Sequence, residues 1–249
     1  VLSTMKRQLL IATRQLDKAV DEARAVAEEI PYEAEHHTVL ANLYGLQGND
    51  SLARAEFDRA LEIDSTDVQT LMSLADFYNT RHDYAGLLSA TRRIFETDAL
   101  TIDEMVRRFG QLTSDLRFYR EYYAQINSLA STLIIRHPDD PRIVRLYADH
   151  LIASGELEEA LALYKLRTAD RPPVKSYFRA VAEIENYLQR PDSVQKYVTQ
   201  AIALFPDDPD FRIFRGHALS YAKHHERAVK AYREALRYVA GDSLRSAVW

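Results

Sequence analysis

Apolar and small residues return every three or four positions along most of the chain, the spacing of helices that bury one face. The clearest stretch is 34–67. Leu40, Ala41 and Tyr44 fall on one helical face, and after Gly48-Asn49 a second face carries Ala53, Phe57 and Ala60. Small residues let two helices approach closely, while Tyr44 and Phe57 fill the space beside the contact. The stretch therefore predicts an antiparallel helix pair that can nest against a neighbour of the same kind. Gly48 suits the reversal because it tolerates positive φ.

The pattern recurs at a nearly constant spacing. Residues 1–33 give Leu9, Leu10 and Ile11, then Ala19, Ala23 and Val26. Residues 68–101 keep Leu74, Ala75 and Tyr78, but carry Leu87, Thr91 and Ile94 where a small-large-small set is expected. Residues 141–174 carry Tyr147, Ala148, Gly155, Ala160, Tyr164 and Pro172. Arg167 takes the place of a packed alanine there, and is expected to lay its stem along the surface with the guanidinium outside. Residues 175–208 carry Val181, Ala182, Val194, Val198, Ala201 and Pro206, and residues 209–242 carry Gly216, Ala228, Tyr232 and Ala235. The set Leu40, Ala41, Tyr44, Gly48, Ala53, Phe57 and Ala60 resembles the tetratricopeptide repeat, whose period is about 34 residues. The expected fold is all-α: a right-handed α-solenoid, or superhelix, of about seven antiparallel helix-turn-helix repeats forming a single array over 1–249.

One unit departs from the period. Residues 102–140 are longer by about five residues, with one continuous second helix expected over 115–136 through Leu116, Tyr119, Tyr123, Ile126, Ala130 and Leu133. Thr101 with Glu104 makes a capping box for its first helix, and Ser114 is expected to cap its second. The aromatic run 117–125, RFYREYYAQ, reads as packing between neighbouring repeats rather than a ligand site. Residues 243–249 read as a cap or the start of a further helix. Either Leu244, Val248 and Trp249 fold back over the last repeat, or the chain is a fragment of a longer array, and the second reading is preferred.

Composition narrows the function. Of 249 residues 47% are hydrophobic and 28% charged, enough for a substantial core; only 7 glycines and 8 prolines argue against a strand-and-turn fold. A net charge of −5 gives no basic footprint for a general nucleic-acid partner. Zero cysteines exclude disulfides and thiolate metal sites. No apolar run is long enough for membrane insertion. The compartment stays open between cytoplasmic and, if a leader has been removed, periplasmic or exported.

The pairs of aspartates in HPDDP (137–141) and FPDDP (205–209) stand just before a helix. They read as N-caps, Asp140 and Asp208, followed by Pro141 and Pro209 at the first helical position, not as catalytic carboxylates. The adjacent pairs His36-His37 and His224-His225 point to different helical sides, so the histidines are expected at solvent or at interfaces, with no metal site. No phosphate loop, dinucleotide fingerprint or nucleophile elbow occurs. No cofactor and no enzymatic activity are expected.

In tetratricopeptide arrays the first helix of each repeat lines the concave face, so the resemblance implies which residues would bind. Early repeats supply Glu35, Thr38, Val39, Asn42, Gln69, Met72, Ser73 and Asp76, a neutral to acidic surface. Later ones supply Arg107, Arg142, Arg145, Arg179, Asn186, Tyr187, Phe214, His217 and Tyr221, arginines beside aromatics of the kind enriched in binding hot spots. These imply a groove for an acidic or carboxylate-bearing peptide. The family's two-carboxylate clamp is not implied: at its positions stand Thr38, Asn42, Ser73, Asp103 and Arg107, of which only Asn42 and Arg107 fit. The expectation is a non-enzymatic scaffold for a protein or peptide. The alternative is a structural segment that self-associates, as a homo-oligomer or with further repeats, through its end repeats.

Overall fold

A computed structural model describes Leu10 and residues 15–238 as helices joined by short turns, with no strand among the described residues. Among the described residues fourteen helices follow in order: α1 (Leu16–Glu29), α2 (Ala34–Gln47), α3 (Asp50–Ile63), α4 (Val68–Thr80), α5 (Tyr84–Phe95), α6 (Ile102–Leu112), α7 (Leu116–Glu121), α8 (Tyr123–Arg136), α9 (Pro141–Ala153), α10 (Leu157–Arg167), α11 (Lys175–Tyr187), α12 (Pro191–Leu204), α13 (Pro209–Tyr221) and α14 (His225–Leu236). The chain divides into two compact units, Val1–Pro138 and Asp139–Trp249. No helix among the described residues is long and apolar enough to cross a membrane. Leu9, Ile11, and the terminal segment with Leu244, Val248 and Trp249 lie outside the described residues.

In both units most helices pack on the next one in the chain, as α2 on α3 and α13 on α14, while α5 packs on α8, and first helices also meet first helices, α2 on α4 and α11 on α13. This is the stacking of helix pairs that the period predicts. Leu40, Ala41, Tyr44, Ala53, Phe57 and Ala60 are all buried. Phe57 joins Ala41, Leu71, Leu74, Ala75, Tyr78, Ala90 and Ile94 in one core cluster of the first unit. In the second, Phe178, Ala182, Val194, Val198, Ala201, Phe211 and Ala218 form another.

Local chemistry sets the ends. Asp140 accepts from the Arg142 amide at 2.9 Å and Asp208 from the Asp210 amide at 3.0 Å, each with proline at the first turn. Both are caps, as read from sequence. Thr101 and Glu104 complete their capping box. The turn inside a pair runs through a left-handed residue: Gly48 (φ 80°) and Gly155 (φ 89°), and at equivalent positions the non-glycines His82 (58°), Gln189 (55°) and Lys223 (62°).

Five local readings are corrected. The second helix of the long repeat is not continuous: Tyr122 (φ −107°, ψ 26°) separates α7 from α8. The backbone bonds Tyr122 N to Phe118 O and Ile126 N to Tyr122 O persist at 3.0 Å, so one residue absorbs the kink. Its ring and that of Phe118 then pack on Tyr84, at the start of α5, with centroids 5.8 and 5.2 Å away, which is packing between repeats. Ser114 is not the cap; its hydroxyl donates to the Gln111 carbonyl, while Asp115 accepts from the amides of Arg117 and Phe118. In α1 the buried small residue is Ala27, with Val26 only half-buried. Arg167 does not hold its guanidinium outside: the side chain is 16% exposed and its Nη1 lies 2.7 Å from Asp139. His37 is not at the surface but 6% exposed, its ring nitrogens 2.7 Å from Glu56 Oε2 and 3.2 Å from the Pro31 carbonyl.

The close contact of the third repeat is made by a glycine one position before Leu87. A Cβ on Gly86 would stand 2.5 Å from the Tyr78 ring, and one on Gly216 would stand 2.3 Å from that of Tyr232. The crowded atoms lie along one edge of each ring, and a rigid ring relieves such a clash only by turning or shifting as a whole. Gly86→Ala and Gly216→Ala should each destabilise by about 1–3 kcal/mol. Gly110, inside α6 with nothing within 4 Å of its would-be Cβ, is the contrast: Gly110→Ala should stabilise by about 0.5–1 kcal/mol. Urea midpoints of the three variants test this, and equal midpoints for all three would refute it.

Candidate functional site

The nine residues marked out by sequence fall on first helices, but not in one place. Arg107 is exposed on α6, in the first unit. The others belong to α9, α11 and α13 of the second. Arg142 is engaged with its own helix cap, placing Nε 3.0 Å and Nη2 2.7 Å from the Asp140 carboxylate. That side-chain bond, strongest among several, holds the Asp140 carboxyl below its ordinary pKa. Arg142 is thus a helix-start residue before it is a binding residue.

Arg145 and Arg179 do line one cleft. Together with Asp149, Ile152, Tyr164, Ser176, Ala180, Glu183 and Ile184 they line a cleft of about 330 Å³ between α9 and α11. Arg145 is 76% exposed and sits 3.6 Å from Asp149, one helical turn on. Arg179 reaches toward the start of α13, 2.5 Å from Asp210 and 3.5 Å from Asp208, which also takes Lys175 at 3.0 Å. Ala180, lacking a long side chain, leaves the middle of the cleft open. Tyr164 is 5% exposed, and burial first, then the Asp149 carboxylate, pushes its phenol up to about 12, so the hydroxyl stays a donor.

The remaining residues form an aromatic edge. Tyr187 and Tyr221, the last residues of α11 and α13, are 77% and 54% exposed. Since those two helices pack together and run the same way, both tyrosines stand at one end of the pair. Phe214 is half-buried against the core of the second unit. His217 has its ring centroid 6.3 Å from Phe214 and 5.7 Å from Tyr232. The Asn186 carboxamide oxygen is buried without a hydrogen-bond partner. In the first unit, Thr38 is not an open surface group: it is 4% exposed and bonded to Thr70 at 2.5 Å. Among the described residues no group of three or more His, Asp or Glu side chains is placed to hold a metal.

Asp149, Glu183 and Tyr164 were missed in reading for arginines and aromatics. The signal was there, since Asp149 and Glu183 each follow an arginine by four residues and so share its helical face.

Two histidines of this unit give a pH prediction. Burial lowers the pKa of His150, 3% exposed on α9, against an opposing pull from Glu156, and burial lowers that of His217. The fold therefore favours their neutral forms, whereas the unfolded chain takes up protons near the ordinary value of about 6.5. The stability that they contribute is present above about pH 6.5 and is lost as pH falls below it. Urea midpoints should drop between about pH 7.5 and 5.5, and the drop should shrink in His150→Gln/His217→Gln. An unchanged slope in that variant would contradict the assignment.

The class that this architecture defines is an α-solenoid built of antiparallel helix pairs. The tetratricopeptide repeat family model matches residues 108–171, and helix pairs of the same kind recur on either side of that segment. No curated protein sequence matches it. Among solved structures, Naa15/Naa10 bound to HypK-THB shares the fold at 15% identity and TM-score 0.54, covering 99% of this chain and 37% of that one. A tetratricopeptide repeat protein from Parabacteroides merdae matches at 13% identity and TM-score 0.42, covering 99% of this chain and 95% of that one. Yeast Tom70 matches at 14% identity and TM-score 0.48, covering 92% and 48%.

Proposed function

We propose that the chain is a non-enzymatic protein-interaction scaffold that holds a protein or peptide segment in the cleft between α9 and α11. The observation that carries this reading is that Arg145, Arg179 and Tyr164 line one open cleft, with the Arg145 guanidinium exposed and Arg179 held at its edge by Asp208 and Asp210. Guanidinium groups take carboxylates in bidentate fashion, and a phenol that stays protonated adds a third donor. Exposed Tyr187 and Tyr221 extend the surface with rigid aromatic area. The occupant on this reading bears carboxylates, either side chains or a chain terminus. That a structural relative is seen bound to HypK-THB is in keeping with such a role.

The test is selection of peptides from a random displayed library on the intact chain, followed by affinity measurement with Arg145→Glu/Arg179→Glu. Selected peptides should lose about tenfold or more in affinity. Undiminished affinity would place binding elsewhere. Arg142 is left unchanged because its bond to Asp140 supports the helix start.

A further inference from the structure

The arginines of the cleft do not stand alone. On α9 Arg145 is followed by Asp149, and on α11 Arg179 is followed by Glu183, at equivalent places in successive repeats. All four line the same cleft. Because α9 and α11 are both first helices and run in the same direction, the cleft has an arginine row toward their N-termini and a carboxylate row toward their C-termini. Four residues of helix separate the rows by about 6 Å along the axis.

We infer that the cleft selects an extended segment lying along the two helices and carrying one acidic and one basic side chain two residues apart. Alternate side chains of a strand project to the same face about 6.7 Å from one another, which matches the separation of the rows. The acidic side chain meets Arg145, with Arg179 adding its charge at the edge of the cleft while it keeps Asp208 and Asp210, and the basic one meets Asp149 and Glu183. The residue between them faces away. Either chain direction satisfies the charges, so Glu-x-Lys and Lys-x-Glu are equivalent in this respect. A purely acidic segment of the same length sets one carboxylate against Asp149 and Glu183, and like charges in a half-enclosed cleft repel. The Arg145–Asp149 pair is exposed on both sides and 3.6 Å long, so it offers little resistance to exchange for pairs with a ligand. Ala180 provides the gap in which the backbone lies, and Ile152 and Ile184 offer apolar contact beside it.

This rests on the assignment of the cleft as the binding site, and the experiment separates the two. Synthetic heptapeptides on an alanine and valine scaffold carry Glu and Lys one, two or three positions apart, or two Glu, or two Lys, and are titrated into the isotope-labelled chain. Backbone and arginine Nε–H shifts of α9 and α11 report binding. The Glu-x-Lys peptide should bind about tenfold more tightly than Glu-x-Glu or Lys-x-Lys, and more tightly than the one- and three-position spacings. In Asp149→Arg/Glu183→Arg the preference should pass to Glu-x-Glu. If Glu-x-Glu binds the unaltered chain as tightly as Glu-x-Lys, with shifts on α9 and α11, the charge-pair inference falls and the binding site stands. If no peptide shifts α9 or α11, while library-selected peptides bind at other helices, both fall.

Discussion

Phe57→Ala is expected to destabilise the first unit by about 3–5 kcal/mol. Phe57 is fully buried on α3, in a core cluster that draws on three other helices: Ala41 of α2; Leu71, Leu74, Ala75 and Tyr78 of α4; Ala90 and Ile94 of α5. Its ring lies 5.6 Å from that of Phe77. Several of these neighbours are alanines and cannot extend into a vacated volume, so the cavity stays open and its full penalty is felt. Because stacked repeats touch only their neighbours, the loss should be local. Hydrogen exchange should accelerate in α2 to α5 and stay unchanged in helices that do not touch the ring. A change below about 1 kcal/mol in urea denaturation would show that the pairs stack without needing this residue.

The same residue shows why so much of the fold was legible. A repeat places its large residue against small ones at a fixed spacing, and that spacing is visible in any single copy once the register is known. Register also accounts for the turns, though only in part. Gly48 and Gly155 announce left-handed turns by composition, whereas His82, Gln189 and Lys223 adopt the same conformation with nothing in their side chains to signal it. For these the position within the repeat is the only clue, and the fold around the turn enforces the conformation.

Periodicity reports which face is buried and is silent on breaks that preserve it. Tyr119, Ile126, Ala130 and Leu133 keep one apolar face across Tyr122, so the sequence reads as one helix and the kink does not show. Polar burial is illegible for a related reason. His37 stands four residues before Ala41 and seven before Tyr44, hence on the core face, but the partner that makes its burial tolerable, Glu56, lies on the next helix. At the cleft the arginines were visible as single residues. What they do depends on Asp149, Asp208 and Asp210, which position them, and only spatial neighbours reveal that an arginine row is matched by a carboxylate row.

The largest effect in the second unit is expected from Lys165→Met, and it comes from what the substitution leaves behind. Glu185 of α11 is fully buried; Lys165 of α10 is its ion-pair partner and Ser193 of α12 donates to it, so one carboxylate ties three helices. The guanidinium of Arg190 stands 3.8 Å from the second oxygen, which has no hydrogen bond, and is already committed to Glu158 at 2.6 and 3.1 Å. Without Lys165 the carboxylate stays in the core with one hydroxyl and a distant cation, and breaking a buried pair from one side costs about 3–5 kcal/mol. The reverse change is milder. In Glu185→Leu the remaining lysine is 30% exposed and can turn its ammonium to water, so about 1–2 kcal/mol is expected. The double variant should be more stable than Lys165→Met alone by about 2 kcal/mol or more, because an apolar pair of similar volume replaces a pair whose desolvation offsets much of its attraction. Urea denaturation of the three variants closes this cycle. Additive losses would mean that Lys165 and Glu185 contribute independently, and that the buried carboxylate is held by Ser193 and Arg190 instead.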